Sequence, residues 1–251
     1  MEFCSLGSGS AGNALLVRSR TTCVMIDCGF GRRDLERRMA LRGMDPRDLD
    51  AILVTHEHSD HAGGVAALAR HYGIAVYSSA GTAKAARLHE LEHAVLVSER
   101  SQRIGDIDVL PVTVPHDARE PCQFVLGHSA HRLGVLTDLG SVSKLVREHY
   151  QRCDALVLEC NHDEEMLANG PYPYPLKRRV GGEFGHLSNA QAAGLLDSVE
   201  KSALQHLVAA HLSEQNNAPG KAWAALSQAL GSEQGLRLAD QASGFDWLGI
   251  A

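Results

Sequence analysis

Several features are scarce in this chain of 251 residues, and each scarcity excludes a class of protein. The six cysteines form no Cys-X-X-Cys pair and no regular framework, so buried free thiols are expected rather than disulfides. No apolar run approaches the roughly 20 residues that a bilayer-spanning helix needs. Basic residues number 24 against 30 acidic ones, and the net charge of −6 gives no general attraction to nucleic acid. Binding to nucleic acid would need a local basic patch.

The rest of the composition is typical of a compact enzyme. Hydrophobic residues make up 44% of the chain, enough to fill one sizeable core. The first residues lack the basic start and apolar run of a secretory signal. We therefore expect a cytoplasmic protein with no membrane partner. Residues 1–251 should form a single domain, with a core over about 1–217 and a C-terminal helix and short hairpin over 218–251.

Strand-like runs alternate with amphipathic segments along the chain. We predict strands at residues 2–6, 14–18, 22–27, 50–55, 75–77, 155–159 and 206–210, with further strands dominating 102–138. Helices are predicted at residues 34–42, 65–72, 81–91, 143–150, 189–199 and 221–230, and the hairpin at 236–248. This mixture favours an α/β architecture in which two sheets pack together with helices outside.

The segment His-Glu-His-Ser-Asp-His at residues 56–61 is the strongest functional signal. It follows a buried strand and precedes a helix, so His56, His58, Asp60 and His61 lie on one tight loop. Imidazole and carboxylate ligands without a thiolate suit zinc or manganese. The alternative is a polar surface loop that is rich in histidine by chance, and three histidines at this spacing disfavour it.

This pattern resembles the HxHxDH signature of the metallo-β-lactamase superfamily. Further residues of the family pattern follow in order and in comparable local settings: Asp27, His116, Asp138 and His211. The resemblance covers about residues 1–217 and implies a four-layer αββα sandwich with the ligands on loops at one edge of the sheets. Asp138 in place of a cysteine, and His58 in place of a glutamate, argue against the antibiotic-destroying and di-iron flavoprotein branches.

The resemblance also divides the ligands between two divalent ions, zinc or manganese. The seven implied ligands form two sets with a shared bridge: His56, His58 and His116; Asp60, His61 and His211; and Asp138 as the bridging carboxylate. Two such ions would share a hydroxide that attacks the substrate, which makes Asp60 a catalytic residue as well as a ligand. Asp27 would orient ligands from behind, with a plain turn carboxylate as the alternative. Cys28 follows Asp27 directly and is the one cysteine expected near the site.

The segment Gly-His-Leu-Ser at residues 185–188 opens a predicted helix. His186, Ser188 and the first helical amides suit a phosphate, although Ser188 would serve equally as a simple N-cap. Together with residues 158–163 and 211–217, this segment resembles the YycJ/WalJ group, whose members are regarded as DNA exonucleases or related phosphodiesterases. The resemblance implies that His186 is catalytic, contacting the scissile phosphate or assisting the leaving group. Asn161 and His162 are balanced between that site and structural hydrogen bonding.

Lys177, Arg178 and Arg179 form the one dense basic run near these elements. The preceding Pro-Tyr-Pro-Tyr-Pro at residues 171–175 predicts an extended segment with two aromatic faces. A basic, aromatic loop beside a phosphate pocket favours binding of a nucleic-acid strand by charge and stacking. The alternative is a loop whose charges are merely solvated.

The leading hypothesis is an enzyme, a metal-dependent hydrolase that cleaves phosphodiester bonds, with DNA exonuclease as its specific form. A second hypothesis is a phosphodiesterase for a small cyclic phosphodiester or nucleotide, since the same core suits both. A third, of another class, is a non-catalytic scaffold stabilised by metal. The complete set of ligands disfavours the scaffold.

Overall fold

Two seven-stranded sheets form the centre of the protein in a computed structural model that describes residues 1–251. The first sheet contains seven strands: β1 (Glu2–Gly7), β2 (Ala14–Arg18), β3 (Cys23–Ile26), β4 (Ala51–Val54), β5 (Ala75–Ser78), β6 (His93–Val95) and β14 (Phe245–Gly249). Its order is β14-β1-β2-β3-β4-β5-β6. The strands from β3 to β6 are parallel and the others antiparallel.

The second sheet has the same size and a similar plan. Its strands are β7 (Gln102–Ile104), β8 (Ile107–Thr113), β9 (Cys122–His128), β10 (His131–Leu136), β11 (Ala155–Glu159), β12 (His206–Ala210) and β13 (Leu236–Leu238). They lie in the order β13-β12-β11-β10-β9-β8-β7, with β10 to β13 parallel. Parallel strands buried on both faces explain why β4 and β11 are almost wholly apolar in sequence.

Nine α-helices accompany the sheets: α1 (Arg32–Leu41), α2 (Ser59–Ala62), α3 (Val65–Tyr72), α4 (Ala80–Ala85), α5 (Lys144–His149), α6 (Glu164–Asn169), α7 (Tyr174–Val180), α8 (Asn189–Ser198) and α9 (Pro219–Leu230). Short 3₁₀ turns occupy Pro46–Asp48 and Leu88–Glu90. The longest helix, α9, begins with Pro219 and ends at Gly231 in the left-handed conformation, which are common helix start and stop residues. None of the helices has the length and apolar content that spanning a bilayer requires.

Three apolar layers hold these elements together. The middle layer lies between the sheets and includes Phe3, Leu53 and Phe124. A second layer joins the first sheet to α1, α3 and α4, and a third joins the second sheet to α5, α8 and α9. The predicted four-layer αββα sandwich is therefore confirmed.

Two local predictions are wrong. Residues 236–248 do not form a hairpin, because β13 pairs with β12 in the second sheet whereas β14 pairs with β1 in the first. The segment at residues 171–175 is not extended throughout as predicted, since α7 begins at Tyr174 and places Pro175 in its first turn. Proline lacks only an N–H that the first turn leaves unpaired, so it starts a helix well.

The predicted helix at residues 81–91 is shorter than expected. It divides into α4 and a 3₁₀ turn, because Arg87 adopts the left-handed conformation with φ 56°. Strand β6 and helix α6 have no counterpart among the predicted elements. Asp163 caps α6 by accepting a hydrogen bond from the Met166 N–H.

Candidate metal centre and active site

The carboxyl ends of the parallel strands meet at one edge of the sandwich, and the candidate site lies there. Strand β4 leads into the histidine-rich loop, β3 ends immediately before Asp27, and β12 ends immediately before His211. Asp138 lies two positions beyond the end of β10. Topology therefore brings together residues that are far apart in sequence.

Three imidazoles converge at the first half of this site. His58 Nδ1 lies 3.0 Å from His56 Nε2 and 3.4 Å from His116 Nε2. The second ring nitrogen of His116 lies 3.0 Å from the carbonyl oxygen of Gly185, which fixes the ring by accepting an Nδ1–H hydrogen bond. Three converging nitrogens are a donor set that suits a divalent ion.

The second half of the site combines two imidazoles with carboxylates. Asp60 Oδ2 lies 3.4 Å from His61 Nε2 and 3.6 Å from His211 Nε2. Asp138 Oδ2 lies 3.0 Å from the same nitrogen of His61 and also groups with His56 of the first half. All seven predicted ligands are thus close together, with Asp138 between the two sets.

Two atoms of this cluster test whether a metal fits. Asp138 Oδ2 and His211 Nε2 are both buried and have no hydrogen-bond partner. A buried polar atom without a partner is costly, and binding of a cation by these side chains would satisfy both atoms. Burial alone would raise the pKa of Asp138, but His211 and His61 outweigh it and hold that pKa well below its usual range. The carboxylate is therefore charged, and the residues fit a divalent metal.

Asp27 supports the cluster from beneath. Its side chain is buried, and Oδ2 lies 2.8 Å from His61 Nδ1. The Thr55 hydroxyl also donates to Oδ2, while the Thr55 backbone N–H donates to Oδ1. A proton on His61 Nδ1 leaves Nε2 free to bind metal, so the contacts of Asp27 agree with the orienting role expected of it.

Backbone strain marks two of these positions. Asp27 has φ 61° and His211 has φ 54°, values that non-glycine residues seldom adopt. Both residues directly follow a strand, and the turn directs each side chain into the cluster. Strain of this kind is concentrated at functional sites.

His186 lies beside the ligands and is paired with a carboxylate. His186 Nδ1 lies 2.7 Å from Glu159 Oε1, and the other oxygen of Glu159 accepts the backbone N–H groups of Leu139 and Leu187. Burial lowers the pKa of His186, but the charge and hydrogen bond of Glu159 outweigh it and leave the pKa raised. The imidazole can therefore hold a proton and release it to a neighbouring group.

Glu159 is a site residue that the sequence reasoning missed. It is fully buried and contacts both His186 and, at 3.3 Å, Nδ1 of His211. The sequence feature that could have identified Glu159 is an acidic residue at the end of an otherwise apolar strand. Strand β11 lies between β10 and β12, whose ends lead to Asp138 and His211, so a polar residue at the end of β11 must face the same cluster.

An open cleft of about 370 Å³ lies above the metal ligands. Its walls include Asp60, Asp138 and His186, and also Tyr172 and Arg179 from the segment around α7. The Arg179 side chain is 59% exposed and forms an ion pair with Asp117 at the rim of the cleft. The cleft thus combines the guanidinium group of Arg179, the aromatic ring of Tyr172 and the candidate catalytic imidazole of His186.

The other two basic residues do not share this cleft. Helical geometry turns successive side chains by about 100°, so the run on α7 divides between two sides. Lys177 and Arg178 line a separate cleft, and Lys177 Nζ also donates to the Ala168 carbonyl oxygen at 2.6 Å. Only Arg179 of the three basic residues therefore lines the metal cleft, and the nucleic-acid contacts expected of all three stay a prediction.

Ser188 is placed as a helix cap rather than as a phosphate contact. It is buried, its hydroxyl accepts the Gln191 N–H, and the Gln191 side chain accepts the Ser188 N–H. The same hydroxyl donates to Glu164. With these partners Ser188 does not reach the metal cleft, which contradicts the substrate contact expected of it.

Three residues left open by the sequence also have clear placements. Asn161 donates through its amide to the His211 carbonyl oxygen and is structural. His162 is buried beside α7, away from the metal ligands, and lines the separate cleft. Cys28 is wholly buried under the ligand loop, where burial raises the pKa of its thiol to about 12 and keeps it protonated.

Comparison with known proteins agrees with this geometry. Residues 22–211 match the family model described as "Beta-lactamase superfamily domain". The chain is 35% identical over 240 residues to exodeoxyribonuclease YycJ of Bacillus anthracis, covering 92% of this chain and 89% of that protein. It is 32% identical over 223 residues to exodeoxyribonuclease WalJ of Streptococcus pneumoniae serotype 2, covering 86% and 83% respectively.

A solved structure supports the fold independently. The metallo-β-lactamase fold protein YhfI from Bacillus subtilis superposes with a TM-score of 0.76 over 99% of each chain, at 15% identity. The family match, the two relatives and the buried His/Asp cluster together identify a metal-binding hydrolase. The chain belongs to the metallo-β-lactamase superfamily and, within it, to the YycJ/WalJ group of hydrolases.

Proposed function

We propose that this enzyme is a DNA exonuclease that uses two divalent ions, zinc or manganese. The observation that carries the proposal is the convergence of seven imidazole and carboxylate ligands beneath an open cleft that His186 also lines. The two relatives described above, which match 92% and 86% of the chain, are named exodeoxyribonucleases. The ligand types favour zinc or manganese, because histidine nitrogen is combined with carboxylate oxygen and no thiolate is present.

The two ions would be held by the two halves of the cluster, with Asp138 common to both. Two divalent ions, when bound, lower the pKa of water and offset the negative charge of a phosphodiester. Asp60, as a ligand on the cleft side, is essential to this chemistry. Asp27 keeps His61 in the tautomer that presents Nε2 to the metal.

The remaining groups act on the substrate directly. His186 lies in the cleft and carries a proton on the side opposite Glu159, so it can protonate the leaving oxygen of the cleaved phosphodiester. Arg179 lies in the same cleft and is suited to a phosphate oxygen, with Asp117 as its partner in the absence of substrate. Tyr172 adds an aromatic surface for a base.

An activity panel on metal-reconstituted enzyme tests the proposal. Manganese or zinc is supplied with linear single-stranded DNA, linear duplex DNA, the same DNA as a closed circle, RNA, and bis-p-nitrophenyl phosphate. We expect linear DNA to be shortened from an end, the closed circle to resist, and the small diester to be hydrolysed slowly. Elemental analysis should give close to two ions per chain.

Each part of the panel can overturn one part of the proposal. A stoichiometry of no more than one ion under excess metal contradicts the two-ion site. Cleavage of closed circles contradicts an exonuclease, and degradation of RNA alone contradicts a DNA substrate. Hydrolysis of the small diester with no activity on any polymer would favour the small-molecule phosphodiesterase.

A further inference from the structure

The second cleft, on the far side of α7, has a composition suited to a ligand. Its lining residues include Tyr174, Lys177 and Arg178 of α7, with His162 and Glu164 opposite. Its volume is about 440 Å³, and none of its lining residues borders the metal cleft. Helix α7 therefore separates two clefts, one on each side.

His162 is the most informative residue of this second cleft. The residue is only 3% exposed, yet its Nδ1 is buried without any hydrogen-bond partner. The other ring nitrogen, Nε2, lies 3.9 Å from the position that a Cβ on Gly181 would occupy, and Gly181 also lines this cleft. Because Nδ1 has no partner that fixes the tautomer, Nε2 can either donate a hydrogen bond to a polar ligand in the cleft or accept one from it.

The charges and the aromatic ring of the second cleft indicate which class of ligand it would bind. Lys177 and Arg178 supply two positive charges, and Glu164, tied to the Ser188 hydroxyl, supplies one negative charge. Tyr174 is 73% exposed and presents a free aromatic face at the edge. Cations beside an exposed aromatic ring bind a phosphate and a base together, as in proteins that hold single strands.

We propose that this second cleft binds a nucleotide of the same DNA strand, displaced along the strand from the bond that is cleaved. The inference rests on the proposed function, because it requires a polymeric substrate. A helix is about 10 Å across, and a stacked strand advances about 3.4 Å per phosphate, so crossing α7 takes roughly three nucleotides. A strand of that length can contact Arg179 in the metal cleft and Arg178 in the second cleft at once.

The test compares a dinucleotide, a longer single-stranded oligonucleotide and bis-p-nitrophenyl phosphate. Binding and kcat/KM are measured for the wild type and for Lys177→Ala/Arg178→Ala, with Lys144→Ala/Arg147→Ala as the matched control. The control removes the same charge from the exposed face of α5, which lines neither cleft.

We expect the Lys177→Ala/Arg178→Ala variant to lose affinity for the long oligonucleotide only. The slope of log affinity against log salt should become shallower by roughly 1.4, at about 0.7 for each lost contact to a single strand. Tyr174→Ala should weaken the same complex by about fivefold or more, as expected for loss of one stacked base. Hydrolysis of the dinucleotide and of the small diester should stay at the wild-type rate.

Three outcomes overturn the inference. If the double variant keeps the wild-type affinity and salt slope for the long oligonucleotide, the second cleft does not bind the strand, and the proposed function is unaffected. If the variant and its control lose affinity equally, the effect is one of net charge. If the wild type hydrolyses the small diester and binds no oligonucleotide, the proposed function fails together with the second cleft.

Discussion

Each sheet contributes one buried carboxylate beneath the ligand cluster, and the two carboxylates make different contacts. Asp27 follows β3 of the first sheet and bonds to His61 and Thr55. Glu159 ends β11 of the second sheet and contacts His186 and His211. Both are buried, and both lie under the same cluster of ligands.

The two sites differ in the other hydrogen-bond partners that are available to the histidine Nδ1 atoms. Asp27 is the close partner of His61 Nδ1, at 2.8 Å, whereas His211 Nδ1 also donates to the Thr137 carbonyl oxygen at 2.8 Å. His211 therefore keeps a partner if Glu159 is changed, but His61 loses its main one if Asp27 is changed. Under the proposed function, Asp27 would therefore support metal binding, and Glu159 would hold the proton-carrying imidazole of His186.

The largest effect is expected when a ligand itself is removed. Asp60→Ala takes away a carboxylate that lies near both His61 and His211, so the second ion should be lost. Turnover of every phosphodiester, small or polymeric, should fall to background, and elemental analysis should show fewer than two ions per chain. Asp197→Ala, an exposed acid on α8, is the control and should behave as the wild type. Residual activity with two ions bound would show that Asp60 is not a ligand.

Removal of the His186 side chain should lower the rate of hydrolysis without changing metal binding. His186→Ala should keep its metals, because the ligands retain their own partners, while kcat falls by about 10²–10⁴-fold, the usual contribution of a positioned acid or base. The measurement is kcat on linear DNA together with metal content, because the alkoxide that leaves from DNA needs a proton whereas p-nitrophenolate leaves without one. His71→Ala, an exposed histidine on α3, is the control. A variant that runs at the wild-type rate would make the Glu159–His186 pair purely structural.

A direct comparison of Asp27→Asn and Glu159→Gln tests whether Asp27 supports metal binding and Glu159 supports proton transfer by His186. Each substitution keeps the size of the side chain and removes its charge. Asp27→Asn should weaken metal affinity by about 10–100-fold, with much of kcat restored at saturating metal. Glu159→Gln should lower kcat by a similar factor of about 10–100-fold even at saturating metal.

Metal titrations followed by activity measure both quantities on the same samples. The distinction between the two carboxylates fails if both variants show the same metal affinity and the same kcat at saturation. It is reversed if Glu159→Gln regains full activity with excess metal, since Glu159 would then support ligands only.

Four of the ligands were readable from sequence because they are local. His56, His58, Asp60 and His61 lie on one loop, and a short motif specifies them together. The rest of the site depends on which strands become neighbours. Glu159 joins the site only because β11 lies between β10 and β12, and one acid at the end of a strand has no local signature.

Long-range pairing and helix phase explain the other errors. Strands β13 and β14 are close in sequence, and their separation into two sheets is decided by partners far along the chain. The division of the basic run depends on α7 being helical, and Pro171, Pro173 and Pro175 made a helix here hard to predict from sequence. Once the helix is known, the placement of Arg179 on one side and Arg178 on the other follows from its period.

The smallest effect is expected at Ser188, two residues from His186 on the side of the site that Glu159 supports. Because Ser188 is buried and caps α8, Ser188→Ala should destabilise the protein by about 1 kcal/mol, the usual cost of losing an N-cap. For a chain of this size that corresponds to a fall in Tm of roughly 2–4 °C, measurable by thermal unfolding. Hydrolysis of bis-p-nitrophenyl phosphate at a temperature well below Tm should be unchanged, since the hydroxyl reaches Glu164 and Gln191 but not the metal cleft. A rise in KM at an unchanged Tm would instead restore Ser188 as a phosphate contact, and with it the helix start as part of the substrate site.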